Sequence, residues 1–420
     1  MMFFVNLPKH CWMSVTLKIG GANAARAPDA PSNQPLLRSP SPSRHEPDPC
    51  SQGGQARESE AGDGLMMIQV LLRHAERAAE HDVYITDVAE EVFFRGAGEL
   101  TSEGIENAKR MGEAHRDIYV KNDFIDGRLI PGEVRFQASE VHRVMMSASA
   151  FSSGLFKDDV TVMAPVYTTP YSEDSLLAIP LTCAKGWGDM ADLCGISDTT
   201  DMPPPASQSD TVLSERANKA TYKQLSSAQR LCSETGASTF MYSYVENLGG
   251  TGRGSDDPEA RIRMQRTVGN LANTIIDNFN AMSNCYAAGK PTCGEKAKFF
   301  YAASLISMFA SVFAYANQFH DVNELALMNT FSMQTGALEF FEGHTPRFSS
   351  SLVMELWIHQ SEPYVRMYVK DGVDRAFKEF PYCNHIPKGA DYPRVGNYCS
   401  LKALENAKNH FITRDPVICN

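Results

Sequence analysis

Apolar residues in this chain fall into a few dense runs separated by polar, helix-like and loop-like texture. The most pronounced early run is Met66-Met67-Ile68-Gln69-Val70-Leu71-Leu72, apolar except for Gln69. An unbroken run of that length predicts a strand buried on both faces, as in a parallel sheet. Leu100-Thr101-Ser102-Glu103-Gly104 predicts a helix start with Thr101 or Ser102 as N-cap, continuing through Met111 toward Tyr119. Glu133 to Ala138 predicts a second strand, followed by a helix capped by Ser139 that carries His142 and Arg143. Val162 to Pro170 reads as a further extended piece. Arg263 to Met282 spaces Val268, Leu271, Ile275, Ile276 and Phe279 as one face of a long amphipathic helix. Lys298 to Ala303 predicts the third core strand. Leu352 to Trp357 and Tyr364 to Val369, divided by His359 to Pro363, predict a hairpin at a sheet edge. Ser400 to Phe411 predicts a last helix.

Strand–helix texture on both sides of a helix-rich stretch predicts an α/β fold with a mostly parallel central sheet flanked by helices. Its core is expected from residues 66–175 and 296–420, with 176–295 inserted as a largely helical cap beside the carboxyl edge of the sheet. Residues 1–64 read as a disordered or low-complexity segment. Pro, Ser, Gly and charge from 21 to 64 offer too little apolar surface to offset ordering. Charge is absent from Phe299 through Phe319, long enough to raise a membrane span. The strand-like start, Ser304, Ser307, Ser311 and the lack of a basic far flank favour a buried strand and helix, so no transmembrane span is expected.

Composition narrows the partners. The 39 basic and 50 acidic residues give a formal charge of -11, which argues against nucleic acid but leaves room for a local basic pocket. Ten cysteines without a CxxC pair argue against metal knuckles and for long-range disulfides in an exported protein. A secreted or lumenal, lysosome-like location follows as an expectation. It is made without a clear signal peptide, since Pro8, Lys9, His10 and Cys11 interrupt the first apolar stretch, and without an Asn-x-Ser/Thr sequon. The true N-terminus is left open. Neither metal nor cofactor is called for; the glycines of 249–255 lack the order of a phosphate loop.

The candidate chemistry lies where the first strand ends. Arg73, His74 and Arg77 follow it directly, at the edge where open α/β sheets bind ligands. Guanidinium forks beside an imidazole suit phosphate or carboxylate. Arg143 begins a helix after the second strand, a second anion-favouring junction. Five segments, in order, then resemble the histidine acid phosphatase family, the branch of the histidine phosphatases that includes prostatic and lysosomal acid phosphatases and phytases. They are Arg73 to Ala78 (RHAERA), Leu100 to Gly104, Ser139 to Ala148, Pro165 to Asp174, and Ser349 to Leu356. The likeness spans about residues 66 to 420.

That resemblance implies that His74 attacks phosphorus and becomes phosphohistidine, with Arg73, Arg77 and Arg143 holding the phosphoryl oxygens. It implies a phosphate or phosphomonoester ligand, and is compatible with a homodimer. It also implies disulfides Cys183–Cys419 and Cys383–Cys399, while Cys232 is expected to bond to Cys285 or Cys293. Two signature positions differ: the glycine after the histidine is Ala75, tolerable unless φ is positive there, and the proline is Ala78.

The third strand departs further. Where the family carries its His-Asp pair, the aligned residues are Ser304 and Leu305. Loss of a leaving-group acid typically costs ~10²–10⁴ in rate. An intact pair, His320-Asp321, stands sixteen residues on, ~24 Å away if the intervening chain is helical; Glu76 and His142 are weaker substitutes. Three functions stand open. One is a phosphate pocket with impaired catalysis, another an active acid phosphomonoesterase, and the third a ligand-binding or scaffold protein without turnover.

Overall fold

In the computed structural model the described residues are 64–79, 89–130, 132–159, 163–177, 214, 217–218, 258–288, 299–304, 320–332, 340–342, 344–385 and 393–412. Nine strands form one sheet. They are β1 (Gly64–Arg73), β2 (Val134–Ala138), β3 (Val166–Tyr167), β4 (Phe299–Ser304), β5 (Ser351–His359), β6 (Glu362–Lys370), β7 (Lys378–Glu379), β8 (Arg394–Val395) and β9 (Tyr398–Ser400). Their order is β3-β2-β4-β1-β5-β6-β9-β8, with β7 on β6. The principal helices are α1 (Ala89–Val92), α2 (Ser102–Tyr119), α3 (His142–Leu155), α4 (Pro258–Ala287), α5 (His320–Ser332) and α6 (Leu401–Phe411).

β1 and β4 lie side by side in parallel, as the apolar runs predict, with Ile68 opposite Phe299 and Arg73 opposite Ser304. β2 pairs parallel with β4 and with β3. The expectation of a mostly parallel sheet is nevertheless wrong. β1 takes β5 antiparallel on its other edge, and the β5–β6, β6–β7, β6–β9 and β8–β9 ladders are all antiparallel. For β5–β6 the cause is local: Gln360 and Ser361 both have positive φ, so the chain reverses in two residues, and a reversal that short permits only antiparallel neighbours. The hairpin is also interior rather than at an edge, because β1 and β9 flank it.

Side chains on β1 alternate between two apolar layers. Ile68, Val70 and Leu72 pack with Met111, Phe136, Val144 and Phe151 under α2 and α3. Met67 and Leu71 pack with residues of α4, α5 and α6. Gln69, the lone polar residue of the run, is buried because its amide donates to the Ile275 carbonyl (2.8 Å) and accepts from Asn278 (2.9 Å) on α4. Most of 176–295 lies outside the described residues, as do Leu305, Cys183, Cys232, Cys293 and Cys419. Cys383 and Cys399 form the expected disulfide, and Cys285 is also disulfide-bonded.

α2 begins where the sequence indicates: Thr101 is the N-cap and its hydroxyl accepts from the Gly104 N–H at 3.0 Å. The Ser139 cap fails. α3 starts three residues later, its N-cap is Val141, and the buried Ser139 hydroxyl has no partner among the described residues. Gly104 sits with its Cα against the Glu76 backbone, so an added methyl would collide with the Glu76 carbonyl. Gly104→Ala is therefore expected to displace the 74–79 loop. Phosphate affinity should drop by more than tenfold if a shift of about 1 Å misaligns the arginines; isothermal titration with inorganic phosphate measures it.

Candidate functional site

The site forms where β1, β2 and β4 end and β5 begins. Arg73 is the last residue of β1, and its backbone N–H donates to the Ser350 carbonyl at 2.9 Å. Its guanidinium also donates to the Pro346 carbonyl. His74 follows, fully buried, with Nδ1 2.8 Å from the Ala75 carbonyl. A carbonyl only accepts, so Nδ1 carries a proton, and in the neutral ring the lone pair is then on Nε2. That is the tautomer a nucleophilic imidazole needs. Ala75 is not among the positive-φ residues, so the glycine-to-alanine change costs no backbone strain.

Arg77 is buried, donates to the Ala78 carbonyl (2.8 Å), and lies in an isolated bridge with Leu100. Arg143, second residue of α3 and likewise buried, donates to the Gly98 carbonyl at 3.0 Å. The 74–79 loop is tied to α3 through Ser147, whose hydroxyl accepts from the Ala75 N–H (3.1 Å) and donates to the Arg143 carbonyl (2.6 Å). A second tie comes from Asn218, which donates to the Arg77 carbonyl at 3.0 Å and bonds to Thr101. Three cationic side chains and one imidazole thus share a scaffold of short bonds to backbone groups.

The sequence missed the loop before β5. Ser349, with φ 61°, donates its N–H to the His74 carbonyl at 3.1 Å. Phe348 lies with its ring centroid 4.2 Å from the Arg73 Cζ, 5.8 Å from the Arg77 Cζ and 5.5 Å from the His74 ring centroid. The signal available in the sequence was the run of serines before Leu352, which fits neither a strand face nor a turn.

Ser304, where the family likeness calls for histidine, ends β4 directly beside Arg73. His320 and Asp321 are the first two residues of α5. One turn on, Glu324 accepts from the Ser350 hydroxyl at 3.0 Å, next to the carbonyl that holds Arg73. Glu324, one turn into α5, therefore stands near the β1 exit. His142 is exposed, with Nδ1 3.3 Å from Glu99 Oε1.

Glu76 differs from its neighbours in charge state. Burial pushes its carboxyl up to about 7, opposed by hydrogen bonds from its own backbone and from Asn107, so it is mainly protonated at acid pH. The pocket then keeps its positive balance. Among the described residues no group of His, Cys, Asp and Glu is arranged to hold a metal ion, and no helix is long and apolar enough to cross a membrane.

Residues 64–232 match the model of the histidine phosphatase superfamily (branch 2). The chain is 24% identical to human testicular acid phosphatase over 375 residues, covering 80% of this chain and 77% of that one. It is 31% identical to the lysosomal acid phosphatase of Xenopus laevis over 128 residues, 28% of this chain and 29% of that one. The structure is similar to the Klebsiella sp ASR1 phytase (TM-score 0.56, 15% identity, 85% of this chain and 98% of that one), a likeness of fold alone. With the motif order, the buried arginines and the imidazole tautomer, these matches lead to one conclusion: the chain belongs to the histidine acid phosphatases, branch 2 of the histidine phosphatase superfamily.

Proposed function

We propose that the protein is an acid phosphomonoesterase in which His74 is the nucleophile. The observation that supports this reading is the bond from His74 Nδ1 to the Ala75 carbonyl, which favours Nε2 as the attacking atom, with Arg73, Arg77 and Arg143 as the proposed phosphoryl ligands. In the first step an Nε2–P bond forms while the ester P–O bond breaks. The ester oxygen takes the bonding pair and a proton from Asp321. Water then attacks the phosphohistidine, passes its proton to Asp321 and frees phosphate. Guanidiniums already in position stabilise the charge on the equatorial oxygens without reorganisation. Residues 320 and 321 are preferred to 304 and 305 as the acid pair because α5 starts with them, one turn before Glu324 meets Ser350. An exported or lumenal setting suits the disulfides.

A second reading has its own observation. Ser304 pairs with Arg73 at the β4 exit, where the family likeness calls for histidine. On that basis the pocket binds phosphate but turns esters over slowly. The test is a turnover assay on an aryl phosphate at acid pH, with acid-labile, alkali-stable phosphoprotein trapped by rapid quenching. Turnover and trapped phosphohistidine are expected, and both should vanish in His74→Ala. Phosphate binding with neither one would support the impaired pocket. No phosphate binding at all would leave a scaffold role.

A further inference from the structure

Phe348 is a buried phenyl, 7% exposed, that belongs to none of the apolar clusters of the described residues. Among the described residues its ring faces two guanidiniums and an imidazole. We propose that Phe348 is a positioning residue, a π platform that holds Arg73 and Arg77 in the cradle without competing for the phosphoryl group. This rests on the proposed function's reading of those arginines as phosphoryl ligands.

The chemistry favours a ring in this position. Two guanidiniums brought to one small pocket repel each other. A carboxylate between them would relieve the repulsion, but it would occupy their N–H donors and repel phosphate in turn. An aromatic face attracts a cation through its quadrupole and takes none of the five donors of a guanidinium. Cζ of Arg73 at 4.2 Å and Cζ of Arg77 at 5.8 Å are both within the ~6 Å reach of that attraction. Glu76, the acidic residue of the same loop, is mainly protonated at acid pH.

The ring also has a fixed mount. Before it, the Arg347 N–H donates to Asp371 Oδ1 at 2.8 Å and its guanidinium to Oδ2 at 3.2 Å. Behind it, Gly372 takes φ 86°, a backbone conformation that side-chain-bearing residues rarely adopt, in the turn packed against Arg347 and Phe348. After it, the positive φ of Ser349 brings that residue's N–H to the His74 carbonyl, and Ser350 binds Glu324. Pinned on both sides, Phe348 sets the position of the cations and does not follow them.

The test uses the full chain with inorganic phosphate as probe, titrated calorimetrically at acid pH. Phe348 is replaced in turn by mono-, di- and trifluorophenylalanine, which drain the ring face while keeping its shape. Phosphate affinity is expected to weaken stepwise, by about three- to thirty-fold over the series, with unchanged melting temperature. Phe348→Tyr should remain within about twofold of the unaltered protein, and Phe348→Leu should match or exceed the end of the series. Affinity independent of fluorination overturns the platform while leaving the proposed function standing. Failure of the unaltered chain to bind phosphate overturns both.

Discussion

Asp321→Asn is expected to lower the rate of phosphohistidine formation from an alkyl phosphate by ~10²–10⁴ while leaving formation from an aryl phosphate much less affected. Asparagine keeps the shape of the side chain but has no acidic proton to give. An alkoxide leaves poorly without that proton, whereas a phenolate with electron-withdrawing substituents departs unaided. The contrast between the two esters is thus the signature of a missing acid, and a general loss of structure would depress both. Leu305→Asp, assayed beside it, separates the two readings of the third strand. If α5 supplies the acid, Leu305→Asp in the otherwise unaltered chain changes little. Should the unaltered protein be poor on alkyl esters and gain activity through Leu305→Asp with Ser304→His, the acid belongs at the β4 exit and the assignment to Asp321 fails.

The second large effect concerns stability. Two buried groups titrate abnormally and in opposite directions. Burial raises the Glu76 carboxyl from 4.5 to about 7. Burial, with a smaller contribution from the Lys370 charge, lowers the His115 imidazole from 6.5 to about 4, against a bond to the Met111 carbonyl. The folded state therefore holds a proton on Glu76 that the unfolded chain has released between pH 4.5 and 7, so this group favours folding in acid and loses that contribution as pH rises through about 7. His115 does the reverse: its contribution is complete above pH 6.5 and is lost as pH falls through about 4. Each swing is on the order of 3 kcal/mol. They oppose each other over about pH 4.5 to 6.5, and the thermal midpoint of the unaltered protein should be nearly level there. Glu76→Gln should leave a midpoint that climbs from pH 4 to 6.5, and His115→Phe one that falls from pH 4.5 to 7. If the single variants have the same slope as the parent, the cancellation is refuted.

How much of this could be read from residues alone depended on whether the cause was local. β1, β4, the Thr101 cap and the β5–β6 hairpin were legible because apolar runs and cap chemistry act within a few residues. The antiparallel half of the sheet was not. The direction in which β5 meets β1 is set by the path of the chain between them, which no local pattern records. Arg73, His74 and Arg77 were legible as a cluster at the end of β1 because they follow a strand directly. Phe348 and Ser349 were hidden because a phenylalanine before three serines carries no local sign of facing a guanidinium. Ser147, which ties Ala75 to Arg143, looks in sequence like any other helical serine.

The position of β1 has a consequence for synthesis. Its neighbours are β4, beginning at Phe299, and β5, ending at His359, so both of its edges wait for partners encoded more than 220 residues later. At ribosomal speeds of about 5–20 residues per second, this largely apolar strand emerges roughly 10 to 45 seconds before β4 can pair with it. Through that interval the nascent chain presents an uncovered, β-prone segment that its own fold cannot yet protect, the condition under which chaperone capture or aggregation competes with folding. A ribosome-bound fragment that stops before Phe299 should therefore depend on holdase chaperones to stay soluble, and release only after β5 has cleared the exit tunnel should yield a folded pocket.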